Sequence, residues 1–440
     1  MSMELRDLDK KHTGDFQEGP VTFDAYSEAE FEYADEGFLD VNREHAGSSF
    51  LAYFNVVCIV AGTGTLGIPY ALKLGGWIGL VILFLSWVMS VHTGTLLIRC
   101  LYANGKRRLG SYKEIATTCF GAVGGWVAFF FNTWILLGAP ILYIVLSGSN
   151  LNELCAGTAA DIGVLPWSIV SCVIVAIPFV LVKNMKEIAV MSALGATATL
   201  IVVIIVLVVA CMDKPHLTNV HHDTVIWSQF PIALSTISFS FGGNGVYPHV
   251  EASMKKPKNW PKVVAAGLST CAALYYLAAI PGYYVYGDRV VNPVYNSISN
   301  GVPKIIAISV MTFHVLAASP ILLTSFALDV EEMLNITVER FGKVKEFIIR
   351  ALFRIFLIVV VGIIGAVIPH FDDLMALIGA FANCALIFIF PVIFYLRLTG
   401  LRNKPIYELA WYALILLLGV VGLVFGTISA IQALVADFKS

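Results

Sequence analysis

Eleven stretches of about 20 mostly apolar residues follow one another along the chain, and this feature constrains its fold more than any other. About 20 residues is the length at which a helix crosses the ~30 Å hydrocarbon core of a bilayer. The stretches run Ser49–Leu74, Trp77–Leu101, Gly124–Gly148, Leu165–Val182, Ile188–Cys211, Val225–His249, Val263–Tyr286, Val302–Val330, Phe347–Ile368, Leu374–Leu396 and Tyr407–Val435. Lipid offers no partner for a free backbone N–H or C=O, so each stretch is expected as helix, or as a break shielded by protein. Of 440 residues 58% are hydrophobic and 13% charged, against about 45–50% and about 25% in soluble domains. The predicted class is an all-α integral membrane protein whose largest partner is the lipid bilayer.

Lys and Arg placement orients the spans, because short cytoplasmic loops are enriched in them. With the N-terminus inside, nineteen basic residues fall on inner loops and adjoining helix ends, among them Arg99, Lys106, Arg107, Arg108, Lys183, Arg340, Arg354 and Arg397. The outer side holds five: Lys73, Lys214, Arg289, Lys304 and Lys439. An odd span count then puts the C-terminus on the far side. Residues 1–48 carry thirteen acidic against four basic residues and no apolar run, so a disordered cytoplasmic tail is expected there, with no cleavable signal. The eight cysteines form no CxxC pair, and most lie in apolar stretches, where Cys behaves as a small hydrophobe. Cys155 and Cys211 share the outer side and are the one pair that could bridge. The sequon Asn335-Ile336-Thr337 falls on the cytoplasmic side, where no glycosyltransferase reaches it. Metal, nucleophile and phosphate-binding constellations are lacking in the sequence, so no enzymatic activity, no cofactor and no nucleic-acid partner are expected.

The first and sixth stretches are unlike the rest. The first places Gly62, Gly64, Gly67 and Pro69 in mid-span, and the sixth clusters Gly242, Gly243, Gly245 and Pro248. Each Gly costs about 1 kcal/mol in a helix interior and Pro about 3, so both helices are expected to break. The breaks fall at corresponding places in two five-span halves, residues 49–211 and 225–396. Paired interruptions of this kind point to inverted repeats around a midplane site, with the span at 407–435 appended. Helix packing through small residues is the competing explanation of either motif alone.

Such a break has a direct chemical use. Half-helix N-termini offer unpaired N–H groups to a carboxylate, and freed carbonyls suit an ammonium group or a small cation. A zwitterionic α-amino acid fits both without a buried Arg or Lys. The expected substrate contacts are Thr63, Gly64, Thr65 and Leu66 in the first break and Ser240, Phe241, Gly242, Gly243 and Asn244 in the second. Asn132 in the third span is added to them. Asn132 and Asn383 both sit deep in apolar segments and need partners, which interhelical hydrogen bonds also supply. Ionisable groups inside spans are often functional, so His92, His314 and Glu251 are coupling candidates, with structural polarity as the alternative. Asp329, Glu331 and Glu332 sit at a helix end beside a basic loop and read as surface charges.

GTGTLGIPYAL at the first break and SFGGNGVYPHVEASMKKP at the sixth resemble the two span motifs of the amino acid/auxin permease family. The similarity extends over the chain beyond its acidic tail, including YGDRVVNPVY and SPILLTSFALDVEEML, and is nearest to the vacuolar and vesicular branch. The resemblance implies a LeuT-like fold, here of 5+5 spans plus one, neutral amino acids as substrates and protons as the coupling ion; a monomer is expected. Sodium is the alternative, with the freed carbonyl of Ala61 and the hydroxyls of Ser319, Thr324 and Ser325 as its candidate ligands. It also implies a vacuolar or lysosomal membrane, with the plasma membrane as the alternative. Asn244 stands where many relatives carry His or Ser, so side-chain preference does not transfer. A channel would favour a continuous polar pore, which the spans lack. A transport-weak sensor would share every feature and is separated only by uptake.

Overall fold

The computed structural model describes residues 46–103, 108–182, 185–368, 371–402 and 404–437. The acidic tail up to His45, and Lys106, Arg107, Lys183 and Lys439 of the orientation argument, lie outside the described residues. Among the described residues the chain is helical, with no β-strand. In order the helices are α1 (Ser49–Val60), α2 (Thr63–Gly75), α3 (Gly79–Tyr102), α4 (Tyr112–Cys155), α5 (Val164–Leu181), α6 (Met185–Asp213), α7 (Phe230–Ser240) and α8 (Tyr247–Ala252). They continue with α9 (Trp260–Tyr286), α10 (Val302–Met333), α11 (Val338–Val367), α12 (Phe371–Thr399) and α13 (Ile406–Ala436).

Local chemistry starts several of these helices. Ser48 caps α1 by accepting from the Leu51 N–H at 3.3 Å, and Thr337 caps α11 from Arg340 at 3.3 Å. Ser111 accepts from the Glu114 N–H at 3.4 Å while the Glu114 carboxylate accepts from the Gly110 N–H, so α4 begins on paired caps. Helix α4 enters through a kink at Gly121 and α11 through one at Gly342, with φ of 69° and 74°. Side chains other than Gly rarely adopt that region. Both kinks precede the apolar runs expected at Gly124 and Phe347, and they turn short interfacial segments into the spans.

Nine helices among the described residues are long and apolar enough to cross a membrane, and α1 with α2, bent by 42°, makes a tenth crossing. The expected count was eleven. The difference lies in the sixth stretch, where the segment after Ser240 leaves an apolar helix of 11 residues, α7, followed by α8 of six. Glycines at 242, 243 and 245 remove the side chains whose packing would hold that turn in a helix. A further departure is in α12, where residues Gly379–Ile389 take the wider π winding. An added Cβ at Gly379 would run into the Ser235 carbonyl of α7, so close backbone contact accompanies the change of winding.

The core of the bundle is α1, α2, α7 and α10, wrapped by α4, α6, α9 and α12. Helices α5 and α11 pack on each other outside it and keep exposed apolar faces, including Ile169, Val173, Ile355 and Val359. A depression of about 520 Å3 between them is lined by these side chains and by Ser168, whose hydroxyl donates to the Val164 carbonyl at 3.0 Å. It is a lipid-facing groove away from both breaks.

One sequence reading is corrected here. Asp329 and Glu331 are buried, at 6% and 8% exposure, rather than surface charges. The Arg354 side chain, fully buried, pairs with Glu331 at 2.8 Å and donates to the Phe179 carbonyl at 2.7 Å, so α11, α10 and α5 are tied together at their shared end. A basic residue near a helix end was counted toward orientation by its charge alone. Its packing role depends on partners 23 and 175 residues away. Cys155 and Cys211 are both free thiols.

Candidate functional site

The two breaks meet in the middle of the bundle. An added Cβ at Gly64 would lie 2.6 Å from the Ser240 Cα, so here backbone approaches backbone. Only Gly permits that approach. Ser240 Oγ donates to the Gly64 carbonyl at 3.1 Å and to the Thr236 carbonyl at 2.9 Å. Tyr275 of α9 donates to the Val60 carbonyl at 2.7 Å and also to the Ser240 carbonyl, bridging the ends of α1 and α7. Thr199 of α6 donates to the Ala61 carbonyl at 2.6 Å. Asn383 of the π segment donates to the Phe239 carbonyl at 3.3 Å, and Asn244 donates to the Leu386 carbonyl at 3.2 Å. Every one of these side chains is buried. The carbonyls freed by each break are thus held by side chains from neighbouring helices, as buried backbone acceptors require.

The N–H side is different. Gly62 caps α2 without any side-chain hydrogen bond, and although the Thr65 N–H turns back onto the Gly62 carbonyl at 3.1 Å, the Thr63 and Gly64 amides at the start of that helix have no intrahelical acceptor. Beside them lies a cavity between Val60 and Gly64 of the first break and Phe239 and Gly242 of the second, closed by Ile59, Ile135, Ala139 and Tyr143 with Leu322. It holds about 20 Å3, room for about one water. Binding an amino acid therefore requires the lining to move.

Of the expected contacts, Gly64 and Gly242 line this cavity. Thr63, Thr65 and Leu66 are fully buried along α2; the Thr63 hydroxyl faces the Tyr143 phenol, and the Thr65 hydroxyl has no hydrogen-bond partner among the described residues. Phe241 packs edge-on against Tyr275 with ring centroids 5.2 Å apart, and Gly243 lies under the Tyr247 ring. Asn132 is placed lower in the bundle, donating to Asp329 Oδ2 at 3.2 Å, with its own oxygen against Gly245. His92 stands apart, beside the Trp411 and Tyr412 rings on α13.

Glu251 is fully buried and belongs to a polar layer on the cytoplasmic side of the cavity in the expected orientation. Arg108 Nε donates to it at 2.6 Å and Tyr102 donates to its other oxygen, while His249 meets Asp329 Oδ1 at 3.1 Å. Helices α3, α4, α8 and α10 are latched together there. Ser319 donates to the Val315 carbonyl at 2.8 Å, the ordinary helix back-bond. Thr324 and Ser325, both fully buried, make no such bond.

Tyr143, Tyr275 and Thr199 were not singled out in the sequence, and Arg108 was counted only toward orientation. A phenol in the middle of an apolar span needs a partner, and that need was the available signal for Tyr143 and Tyr275. The partner itself is up to 215 residues distant.

Residues 45–435 match the family described as "Transmembrane amino acid transporter protein". The chain belongs to this family. Among curated relatives, the amino acid transporter AVT1J of Arabidopsis thaliana is 26% identical over 92% of this chain and 96% of its own length. The vesicular inhibitory amino acid transporter of Xenopus tropicalis is 24% identical over 92% of this chain and 81% of its own. Among solved structures, a sodium-coupled sialic acid symporter in a substrate-bound outward-open state superposes with a TM-score of 0.58, at 11% identity over 92% of this chain and 94% of its own. MhsT in complex with L-phenylalanine gives 0.51, at 15% identity over 88% and 100%. These structures share the fold with this transporter-family chain. The curated relatives are transporters and not enzymes.

Proposed function

We propose that this protein is a secondary active transporter that carries neutral amino acids by alternating access, coupled to protons. The observation that carries the reading is the contact of Gly64 with Ser240, which sets the uncapped N-terminus of α2 beside a cavity without a charged side chain. The substrate carboxylate faces the α2 amides, the ammonium group faces break carbonyls, and the side chain lies among Ile135, Ala139, Phe239 and Leu322. A charged substrate side chain would have no counter-charge there.

The structural frame of the proposal is a 5+5 inverted repeat, α1/α2 through α6 and α7/α8 through α12, with α13 appended and the N-terminus cytoplasmic. The polar layer of Arg108, Glu251, His249 and Asp329 is its inner gate. A vacuolar or vesicular membrane and a monomeric carrier accord with the sequence resemblance. One pH unit supplies ~1.4 kcal/mol per proton and 100 mV ~2.3 kcal/mol, together enough for a gradient of several hundred-fold.

A sodium-coupled reading has one specific observation in its favour, the unpartnered hydroxyls of Thr324 and Ser325. Purified protein in proteoliposomes, with pH and sodium gradients imposed independently, separates the two. Uptake of neutral amino acids that follows the pH gradient supports the proposal. Uptake that follows sodium alone replaces its coupling ion, and no flux under any gradient ends it.

A further inference from the structure

His314 sits at full burial in α10, beside the first break, and its hydrogen bonds fix which nitrogen carries the proton. Nδ1 lies 2.7 Å from the Gly195 carbonyl, an atom that only accepts, so Nδ1 is the donor. The hydroxyl of Thr199 is 3.1 Å from the same nitrogen and directs its own hydrogen to the Ala61 carbonyl at 2.6 Å, which leaves its oxygen free to accept. In the neutral ring Nε2 is then a bare acceptor. It is buried and has no partner among the described residues.

That nitrogen is aimed at the break. A Cβ built on Gly62 would lie 3.0 Å from His314 Nε2 and 3.0 Å from the Tyr143 hydroxyl, and Gly62 is the N-cap of α2. The bare nitrogen and the phenol thus meet at the N-cap of α2, and Tyr143 also lines the cavity. Among the described residues, the titratable groups that face the ring are Cys58 from α1 and Tyr143 from α4; α6 contributes Gly195 and Thr199, and no charged side chain acts on it. On the carrier reading above, we propose that His314 Nε2 is the coupling-proton site. The proton adds to its lone pair when an amino acid carboxylate occupies the α2 N-terminus, and leaves when the carboxylate does.

The physical basis is charge compensation. An imidazolium without a counter-charge at this depth is costly, and a carboxylate without a cation beside it is costly too. Bound together they neutralise one another, so each raises the other's affinity by the same factor. The neutral ring waits with an acceptor rather than a donor toward the site, and protonation converts it to a donor at the position where the anion arrives. Nδ1 keeps its bond to Gly195 in both states, so the ring need not turn over to change charge.

The test uses the full-length protein, purified, with tritiated L-alanine, L-leucine and L-phenylalanine as probes. In the wild type, affinity at about pH 5.5 should exceed that at about pH 7.5 by up to about a hundredfold, tenfold for each pH unit over which one proton is taken up. In weakly buffered solution, binding should take up about one proton, read with an indicator dye. In H314N, whose amide can replace the Nδ1 donor to Gly195 but cannot titrate, the proton uptake and the pH dependence of affinity should both vanish. Uptake of a proton by H314N equal to wild type, or none by wild type, overturns the assignment. Loss of binding by an H314N protein that unfolds at the wild-type temperature also overturns it, since it assigns the residue a different role. Should H314N and H314Q both fail to fold, H92N, whose ring stands apart beside α13, decides: proton uptake must survive in it, and its loss there removes His314 from the role. Absence of any binding or flux by the wild type defeats the carrier reading itself. Flux indifferent to pH leaves the carrier and removes only the proton site.

Discussion

Gly64 and Tyr275 both hold the two breaks together, and neither is charged. Gly64 allows two backbones to touch, so Gly64→Ala forces a Cβ to within 2.6 Å of the Ser240 Cα. Overpacking of this kind costs about 1–3 kcal/mol, and amino acid uptake should fall at least about tenfold because the two half-helices move apart. Gly301→Ala is the control, since its nearest added contact is the Pro303 Cδ at 3.6 Å, and it should transport as wild type. Tyr275→Phe removes the one hydroxyl that serves both the Val60 and Ser240 carbonyls. The Val60 carbonyl keeps the Gly62 N–H at 2.9 Å, but the buried Ser240 carbonyl loses its donor, so stability should drop by about 1–3 kcal/mol, read as a lower thermal unfolding midpoint. An unchanged midpoint in Tyr275→Phe would mean that water or relaxed geometry serves that carbonyl instead.

At the scale of elements, the helices were legible in the sequence because apolar length and the Gly and Pro of the first and sixth stretches act locally. Ser48, Ser111 and Thr337 announce helix starts, and Gly62 to Pro69 announces a break, within a few residues of chain. The contents of the site were less legible. Gly64 and Gly242 line the cavity, but Asn132 was displaced toward Asp329 and His92 toward α13, because a polar residue in an apolar span says only that it needs a partner. Which helix supplies the partner is a matter of tertiary packing. The burial of Asp329, Glu331 and Arg354 was hidden for the same reason, since a charge near a helix end looks alike whether it meets solvent or another helix. The Arg354 cluster gives a testable consequence. Arg354→Met leaves Glu331 buried without its cation and should cost about 3–5 kcal/mol, whereas Arg354→Met with Glu331→Leu should recover much of that loss. The unfolding midpoints of the single and double variants decide it, and equal midpoints would show that the pair is solvated.

At the scale of the whole molecule, the proposed alternating-access cycle takes the closed cavity and the polar layer beside it as one of its states. Arg108 and Glu251 join the loop before α4 to α8 at 2.6 Å, and His249 joins α8 to α10. On the proposed orientation, opening toward the cytoplasm requires these contacts to part. Glu251→Gln should therefore weaken the latch, raising efflux relative to uptake in proteoliposomes by about threefold to tenfold for ~1 kcal/mol of lost closure. Equal slowing of both directions would place Glu251 outside the gate. The central claim is that backbone at the two breaks recognises the head group common to amino acids. Competition for uptake of a tritiated neutral amino acid into proteoliposomes tests it most directly. Unlabelled amino acid should block uptake, while its methyl ester and its N-acetyl derivative, each lacking one half of the zwitterion, should not. Equal competition by the blocked derivatives, or no uptake to compete for, would contradict the account.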